Sequence, residues 1–293
     1  MQARAKGRLG LFALPVCARA GTFPVSDLSP LDKLEVGSLR AKVLGELMFQ
    51  GSRLLSTCIN VTSEGQDAVL ACKRDRRPVV FVGWHGHDAI YLTAHHILFG
   101  WTAPAVIMVL DDANGRVLQQ FGQRMNLRVI SLGPGPESPQ WVKGVVKMIM
   151  LLRQGYDALV AADGPHGPPH QAKMGAALIA QRAGAVIVPT AASCNHKIEL
   201  RKRWDSHLVP MPFSRTVIDF GPPIDSCPAS GPRPRLEDLR AQYELALHLG
   251  AARATAALET GRLRNHHPAE IACTTPNNTV RGSATWVRGA PKT

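Results

Sequence analysis

Pro78-Val79-Val80-Phe81-Val82-Gly83 is a short, continuously apolar run that ends on Trp84-His85-Gly86-His87-Asp88. A run without polar alternation describes a buried strand rather than one face of an exposed sheet. Comparable runs recur at Ala105 to Leu110, Arg128 to Ser131, Ala158 to Ala162, Ala185 to Thr190 and Thr216 to Phe220. Helical patterns lie between and after them. One covers Gly115 to Met125. In a second, Val142, Val145, Val146 and Ile149 share a face, and Gly155 ends it. A third covers Ala172 to Arg182, with Gly184 as its stop. The last runs from Arg235 to Leu258, with Leu236, Leu239, Tyr243 and Leu247 on its apolar face. Short apolar strands separated by helices predict an α/β fold with a central, largely parallel sheet flanked by helices.

Outward from this unit, Leu39, Val43, Leu44, Leu47, Met48, Leu54 and Leu55 recur at helical spacing between about Leu34 and Ile59. They predict one amphipathic helix or two, packed on the domain or facing a membrane. The first 33 residues read as a flexible leader, although MQARAKGR followed by LGLFALPVCA loosely resembles a secretory signal. Residues 261–293 are rich in Thr, Asn, Gly and Pro and read as a flexible tail. Residues 34–260 form the expected domain. No uninterrupted apolar run is long enough to span a bilayer; the nearest, Ala89 to Leu110, is broken by His95, His96 and Pro104.

Composition narrows the function classes. The 293 residues are 45% hydrophobic and 19% charged, which excludes a mainly disordered or fibrous chain. Lys plus Arg is 34 against 22 for Asp plus Glu, a net charge of +12. Such a surface attracts anionic headgroups, acidic carrier proteins or phosphorylated substrates. Zinc-finger spacing and an RNA-binding aromatic signature are both missing, so nucleic acid is not an expected partner. Six scattered cysteines without a CxxC pair fit a reducing compartment better than a disulfide scaffold.

Ligands of open α/β sheets bind beyond the C-terminal ends of strands. Two such ends carry chemistry here. After Val82, His85 sits at a strand exit as a candidate general base, because imidazole titrates near neutrality. Asp88 is three residues on, placed to orient an imidazole or to cap a helix. The alternative is a helix cap beside a satisfied surface histidine. His85, His87, Asp88, His95 and His96 also contain metal-ligand types, but their spacing only partly resembles a metallo-hydrolase run, and no metal is expected. The second end is Asp163-Gly164-Pro165-His166-Gly167-Pro168-Pro169-His170. Its glycines permit close backbone approach, its prolines stiffen the turn, and a helix with Lys173 follows. That combination suits an anion such as a phosphate; a rigid βα connection is the alternative. Neither GxxxxGK[ST] nor GxGxxG is present.

In this order the two ends resemble the bacterial lysophospholipid-acyltransferase-like family, related to the glycerolipid and lipid A acyltransferases. The resemblance covers about residues 38–225. It is carried by Val82-Gly83-Trp84-His85-Gly86, Asp163-Gly164-Pro165-His166-Gly167-Pro168, Lys173-Met174-Gly175-Ala176, Ala183-Gly184-Ala185 and Ile187-Val188-Pro189. Trp204-Asp205, with Leu208 to Arg215, largely matches a stretch the family writes as SWDxFxIPxPFS, and Gly221-Pro222-Pro223-Ile224 closes the match. The resemblance implies a glycerolipid-acyltransferase-like sheet and an O-acyltransferase of phospholipid biosynthesis. The acyl group would move from acyl-CoA or acyl carrier protein to a hydroxyl of a lysophospholipid or lipid A-like acceptor. It places His85 at the catalytic base. Asp163, Gly164, His166 and Gly167 fall at the phosphate-holding loop, with Lys173 beside it, and Pro189 shapes the acyl or acceptor site. No cofactor is implied beyond the acyl donor as co-substrate. The expected place is peripheral, on the cytoplasmic side of the cell membrane. Departures are Ile90 at the acidic position five after the histidine, which leaves Asp88 as the nearby acid, His166 for an arginine, Asn114-Gly115 for an aspartate-glycine pair, and Leu132-Gly133-Pro134-Gly135 for an RGS stretch. Two further readings remain open: a hydrolase using His85, with or without a metal, and a non-catalytic lipid-binding protein.

Overall fold

The computed structural model describes residues 39–99 and 104–260. The leader and tail expected at residues 1–33 and 261–293, and the signal-like segment, lie outside the described residues. Strands β2 (Val79–Gly83), β3 (Ala105–Leu110), β4 (Arg128–Leu132), β5 (Asp157–Ala161) and β6 (Val186–Cys194) run parallel in the order β6-β2-β5-β3-β4. The helices α3 (Asp88–Phe99), α4 (Ala113–Arg124), α5 (Pro139–Arg153) and α6 (Gly175–Ala183) connect them. β9 (Arg215–Phe220) extends the sheet antiparallel to β6, and β1 (Asn60–Glu64) pairs parallel with β9 at the edge. The expected α/β class and largely parallel sheet are both present.

β2 shows why its sequence lacks polar alternation. Val80 and Val82 enter a core with Met148, Leu151 and Leu152 of α5, Ala177 and Ile179 of α6, and Leu239, Tyr243 and Leu247 of α7 (Leu236–Thr260). Val79 and Phe81 enter the opposite core with Val69 and Cys72 of α2 (Gln66–Arg74) and Ile90, Tyr91 and Leu98 of α3. Successive side chains point to opposite faces, so a strand covered by helices on both sides is apolar throughout.

Helix α1 (Leu39–Cys58) buries Ala41 and Gly45, and Gly45 lies against Gln120 and the carbonyl of Val117 on α4. Its Leu39, Val43, Leu47 and Leu54 remain exposed. β1 and α2 (Gln66–Arg74) add to the elements expected from the sequence. β1 reads NVTSE, a polar edge strand whose pairing with β9 is set across more than a hundred residues. α3 was also unread as a helix. It is buried along much of its length, including His95, so it carries no amphipathic period. The predicted start of α6 at Ala172 moves to Gly175. Residues just before it bond elsewhere: Ala172 N–H donates to Glu244, Lys173 N–H to the Ala162 carbonyl, and the Tyr243 hydroxyl to the Lys173 carbonyl.

At the N-terminal end of β5, Asp157 binds Lys73 and accepts the Val79 N–H at 3.2 Å. The carboxylate is nearly inaccessible, so removing it strands a buried backbone donor as well as an ammonium group. Asp157→Ala is expected to destabilise the protein by about 2–4 kcal/mol. Glu237→Ala, which breaks an exposed pair with Arg235, should cost less than about 1 kcal/mol. Urea denaturation of the two variants checks the contrast.

Candidate active site

The pairing of β2 with β5 sets Gly83 opposite Ala161, and the Ala162 N–H donates to the Gly83 carbonyl at 2.7 Å. Both chains therefore leave the sheet side by side. Two residues further on each, the His85 N–H donates to Asp163 Oδ1 at 2.9 Å. Asp163 Oδ2 accepts the His170 N–H at 3.2 Å. Buried Asp163 thus ties the His85 turn to the far end of its own loop through two backbone donors.

His85 opens a short 3-10 turn, His85–His87, before α3 begins at Asp88. Its ring is half-buried, 5.1 Å from the Trp204 ring between centroids. Nδ1 lies 2.7 Å from Asp205 Oδ2. Asp205 is fully buried as a side chain, accepts Arg203 Nε at 2.9 Å and Nη2 at 3.1 Å, and lies 3.2 Å from His207 Nδ1. Burial alone would raise its pKa. The Arg203 hydrogen bonds, then that of His85, overcome burial and hold the carboxyl well below the usual carboxylate range. An ionised Asp205 can only accept, so Nδ1 of His85 carries the proton, and in the neutral ring Nε2 keeps its lone pair.

Asp88 stands on the other side of the ring, with Oδ2 4.0 Å from Nε2. Desolvation pushes it up to about 7; a charged His85 opposes the shift, and the charges of Asp163 and Asp205 add to it. The side chain keeps 39% of its exposure, so solvent tempers this shift. His87 is pushed down to about 4, by desolvation first and then by the charges of His170, Lys197 and His207. Tyr91 lies 3.3 Å from its Nδ1.

Other expected residues fall around this centre. Gly164 has φ 69 and lies beneath Lys173, whose Nζ would be 3.4 Å from a Cβ there. Gly167 has φ 62, and a Cβ on it would meet the Trp204 ring at 2.6 Å. His166 is exposed on the same loop. Pro189 is buried in β6 in register with Val82. Its carbonyl accepts the Gly221 N–H at 2.8 Å, so its missing N–H faces the gap between β9 and β10 (Ile224–Asp225), where no ladder bond is due.

Local spacing does not mark Asp205 as a site residue. Its signal was the Trp204-Asp205 stretch, 120 residues from His85, where separation hides the contact. Gly86 permits it: a Cβ there would meet the Asp205 carbonyl at 2.3 Å. The metal-type residues weighed from sequence do not gather, since His95 packs between Phe81 and Phe99. His85, Asp205 and His207 instead bring ligand atoms within 4.8 Å of one another. Arg203 already occupies both Asp205 oxygens, and its charge opposes a divalent cation there.

No family model matches the chain. An uncharacterized protein of Rickettsia prowazekii (strain Madrid E) is 26% identical over 149 residues, 50% of this chain, and the match spans 63% of that relative's length. Among solved structures, the 1-acyl-sn-glycerophosphate (LPA) acyltransferase PlsC from Thermotoga maritima superposes with a TM-score of 0.45 at 17% identity. That likeness covers 74% of this chain and 80% of the other.

The raised Asp88 has a consequence for stability. Between the ordinary carboxylate range and pH 7 the folded chain holds a proton there that the unfolded chain releases. Stability therefore falls as pH rises through that window. Asp88→Asn is expected to flatten the fall, measured as the urea midpoint between pH 4 and pH 8. Parallel curves for the two proteins would refute the assignment.

Proposed function

We propose that this protein is an O-acyltransferase. It moves a fatty acyl group from acyl-CoA or acyl carrier protein to a hydroxyl of a lysophospholipid or lipid A-like acceptor. The observation that carries the reading is the 2.7 Å contact between His85 Nδ1 and the ionised Asp205, which leaves Nε2 as a base. The sequence resemblance across both strand-end motifs and the Trp204-Asp205 stretch supports the reaction class.

In this reading Nε2 of His85 takes the proton of the acceptor hydroxyl. The oxygen attacks the thioester carbonyl and forms a tetrahedral intermediate. When that collapses, the C–S bond breaks and the thiolate takes the proton back from the imidazolium. Asp205 fixes the tautomer and stabilises the positive ring between these transfers. Asp88 is close enough to the same space to contact the acceptor hydroxyl, and its proton is in play near neutral pH. Lys173 over Gly164 offers a cation to an acceptor phosphate; His166 lies further out on the loop. The site of action is the cytoplasmic face of the membrane, where both substrates meet.

The hydrolase reading uses the same His85–Asp205 pair on water instead of an acceptor. Labelled acyl-CoA and acyl carrier protein, offered with a panel of lysophospholipids and lipid A precursors, separate the readings. Label should enter lipid. His85→Ala should lower transfer by about 10²–10⁴-fold, and Asp205→Asn by about 10²-fold. Label released only as free fatty acid supports the hydrolase. Equal transfer by the parent and His85→Ala removes His85 as the base.

A further inference from the structure

From Asn195 to Trp204 every residue is exposed. This run contains β7 (Lys197–Leu200), which pairs with β8 (His207–Pro210) as a separate two-stranded sheet. The hairpin has two unlike faces. Leu208, opposite Glu199, packs against the core beneath α3. Ile198 and Leu200, opposite Val209 and His207, stay 51% and 41% exposed. The chain beyond β8 adds Met211, and then Phe213 at 81% exposure.

Phe213 is the telling residue. Its backbone is held at φ 63, a region that bulky side chains rarely adopt. The hold comes from the Phe213 N–H on the Cys58 carbonyl at 3.0 Å, at the end of α1, and the Ser214 N–H on the Met211 carbonyl at 3.2 Å. The Met211 N–H bonds to the His196 carbonyl at 3.0 Å and joins this loop to the hairpin. Strain and an exposed ring are both unfavourable, and nothing among the described residues covers the ring.

Charge sits around the same apolar residues. Arg203 is neutralised by Asp205. Lys197, opposite buried Pro210 on the packed face, donates to the Cys194 carbonyl at 3.0 Å; Arg201, paired with Glu199, and Lys202 follow the end of β7. Basic side chains interleaved with protruding apolar ones suit a surface that is anionic outside and apolar beneath. A nucleic acid would satisfy the charges and leave Ile198, Leu200 and Phe213 in water. A protein would offer a preformed pocket for a single protruding ring, whereas a bilayer accepts one anywhere.

We infer that the β7–β8 hairpin and the Met211–Phe213 loop dock the protein on an anionic lipid bilayer. Phe213 enters the interface, and Arg201 and Lys202 lie at the headgroups. The same hairpin carries Arg203, Asp205 and His207, so docking presents the His85 centre to the lipid surface. The inference rests on the membrane placement proposed above and names the surface that makes it; vesicle binding tests that surface without reading acyl transfer.

The test is sedimentation of the full chain with phosphatidylcholine vesicles and with vesicles that also contain phosphatidylglycerol. The parent should bind the anionic vesicles more tightly. Phe213→Gly and the double variant Arg201→Gln/Lys202→Gln should each weaken that binding about tenfold. Glycine accepts φ 63 without strain, so Phe213→Gly should melt no lower than the parent, which separates lost docking from lost folding. The inference is overturned if the parent binds neither vesicle or both equally, or if the variants bind like the parent. Loss of binding to an acidic acyl carrier protein with vesicle binding intact also overturns it and makes the surface a protein site.

Discussion

The register of β2 against β5 places Gly83 beside Ala161, and much of the candidate site follows from that alignment. Two neighbouring parallel strands end at one height, so each exit loop lies within reach of the other. Asp163 closes the gap with one oxygen on the His85 N–H and the other on the His170 N–H. Slipping the pair by one residue would exchange the two core faces of β2 as well as separate the loops. The hydrophobic cores that enforce register therefore also position the histidine. Stability and site geometry share one constraint, at the end of the sheet opposite the Lys73–Asp157 pair.

Around that point the charges divide unequally. Asp205 is the more inaccessible carboxyl and yet stays ionised, because a guanidinium spans both of its oxygens and the His85 ring donates to one of them. Asp88 keeps more side-chain exposure and yet is pushed up to about 7 by desolvation, which the charges of His85 and Arg203 only partly oppose. Burial raises both carboxyls, and only at Asp205 do the hydrogen bonds to Arg203 and His85 overcome it. The result is one fixed anion at Nδ1 and one protonatable acid near Nε2. That asymmetry directs the imidazole, since a carboxylate bound at Nε2 would consume the lone pair that acid–base chemistry requires.

The sheet was largely legible in the sequence because burial on both faces removes polar alternation, as in Val79 to Val82. Buried strands and well-capped helices such as α4 carry their signal locally, for example in Asp112 accepting the Gly115 N–H. β1, α3 and the β7–β8 hairpin did not. β1 is polar at a sheet edge, α3 is covered by its surroundings, and the hairpin has only four residues per strand, with those of β7 all exposed. His85 and the Asp163 loop were legible because apolar strands end beside them. Asp205 was not, because no strand of the main sheet ends at it. It reaches His85 from a hairpin whose approach depends on Gly86 having no side chain. Nearness in sequence favoured Asp88, while tertiary packing brought Asp205 to Nδ1.

The hairpin explains why so few contacts join the site's parts. Asp205 touches His85 by side chain and Gly86 by backbone, and Trp204 covers both the His85 ring and Gly167. One two-residue segment thus meets both strand-end loops. Its own strands are anchored by Leu208 on one face and left apolar at Ile198 and Leu200 on the other. The connection between them, Arg201 to Ser206, holds the carboxylate that sets the His85 tautomer. A rigid strand in the central sheet would hold Asp205 more firmly, but it would place that residue away from the surface. Carrying it on a hairpin turn lets Asp205 approach the His85 ring from outside the main sheet, over a Gly86 that has no side chain.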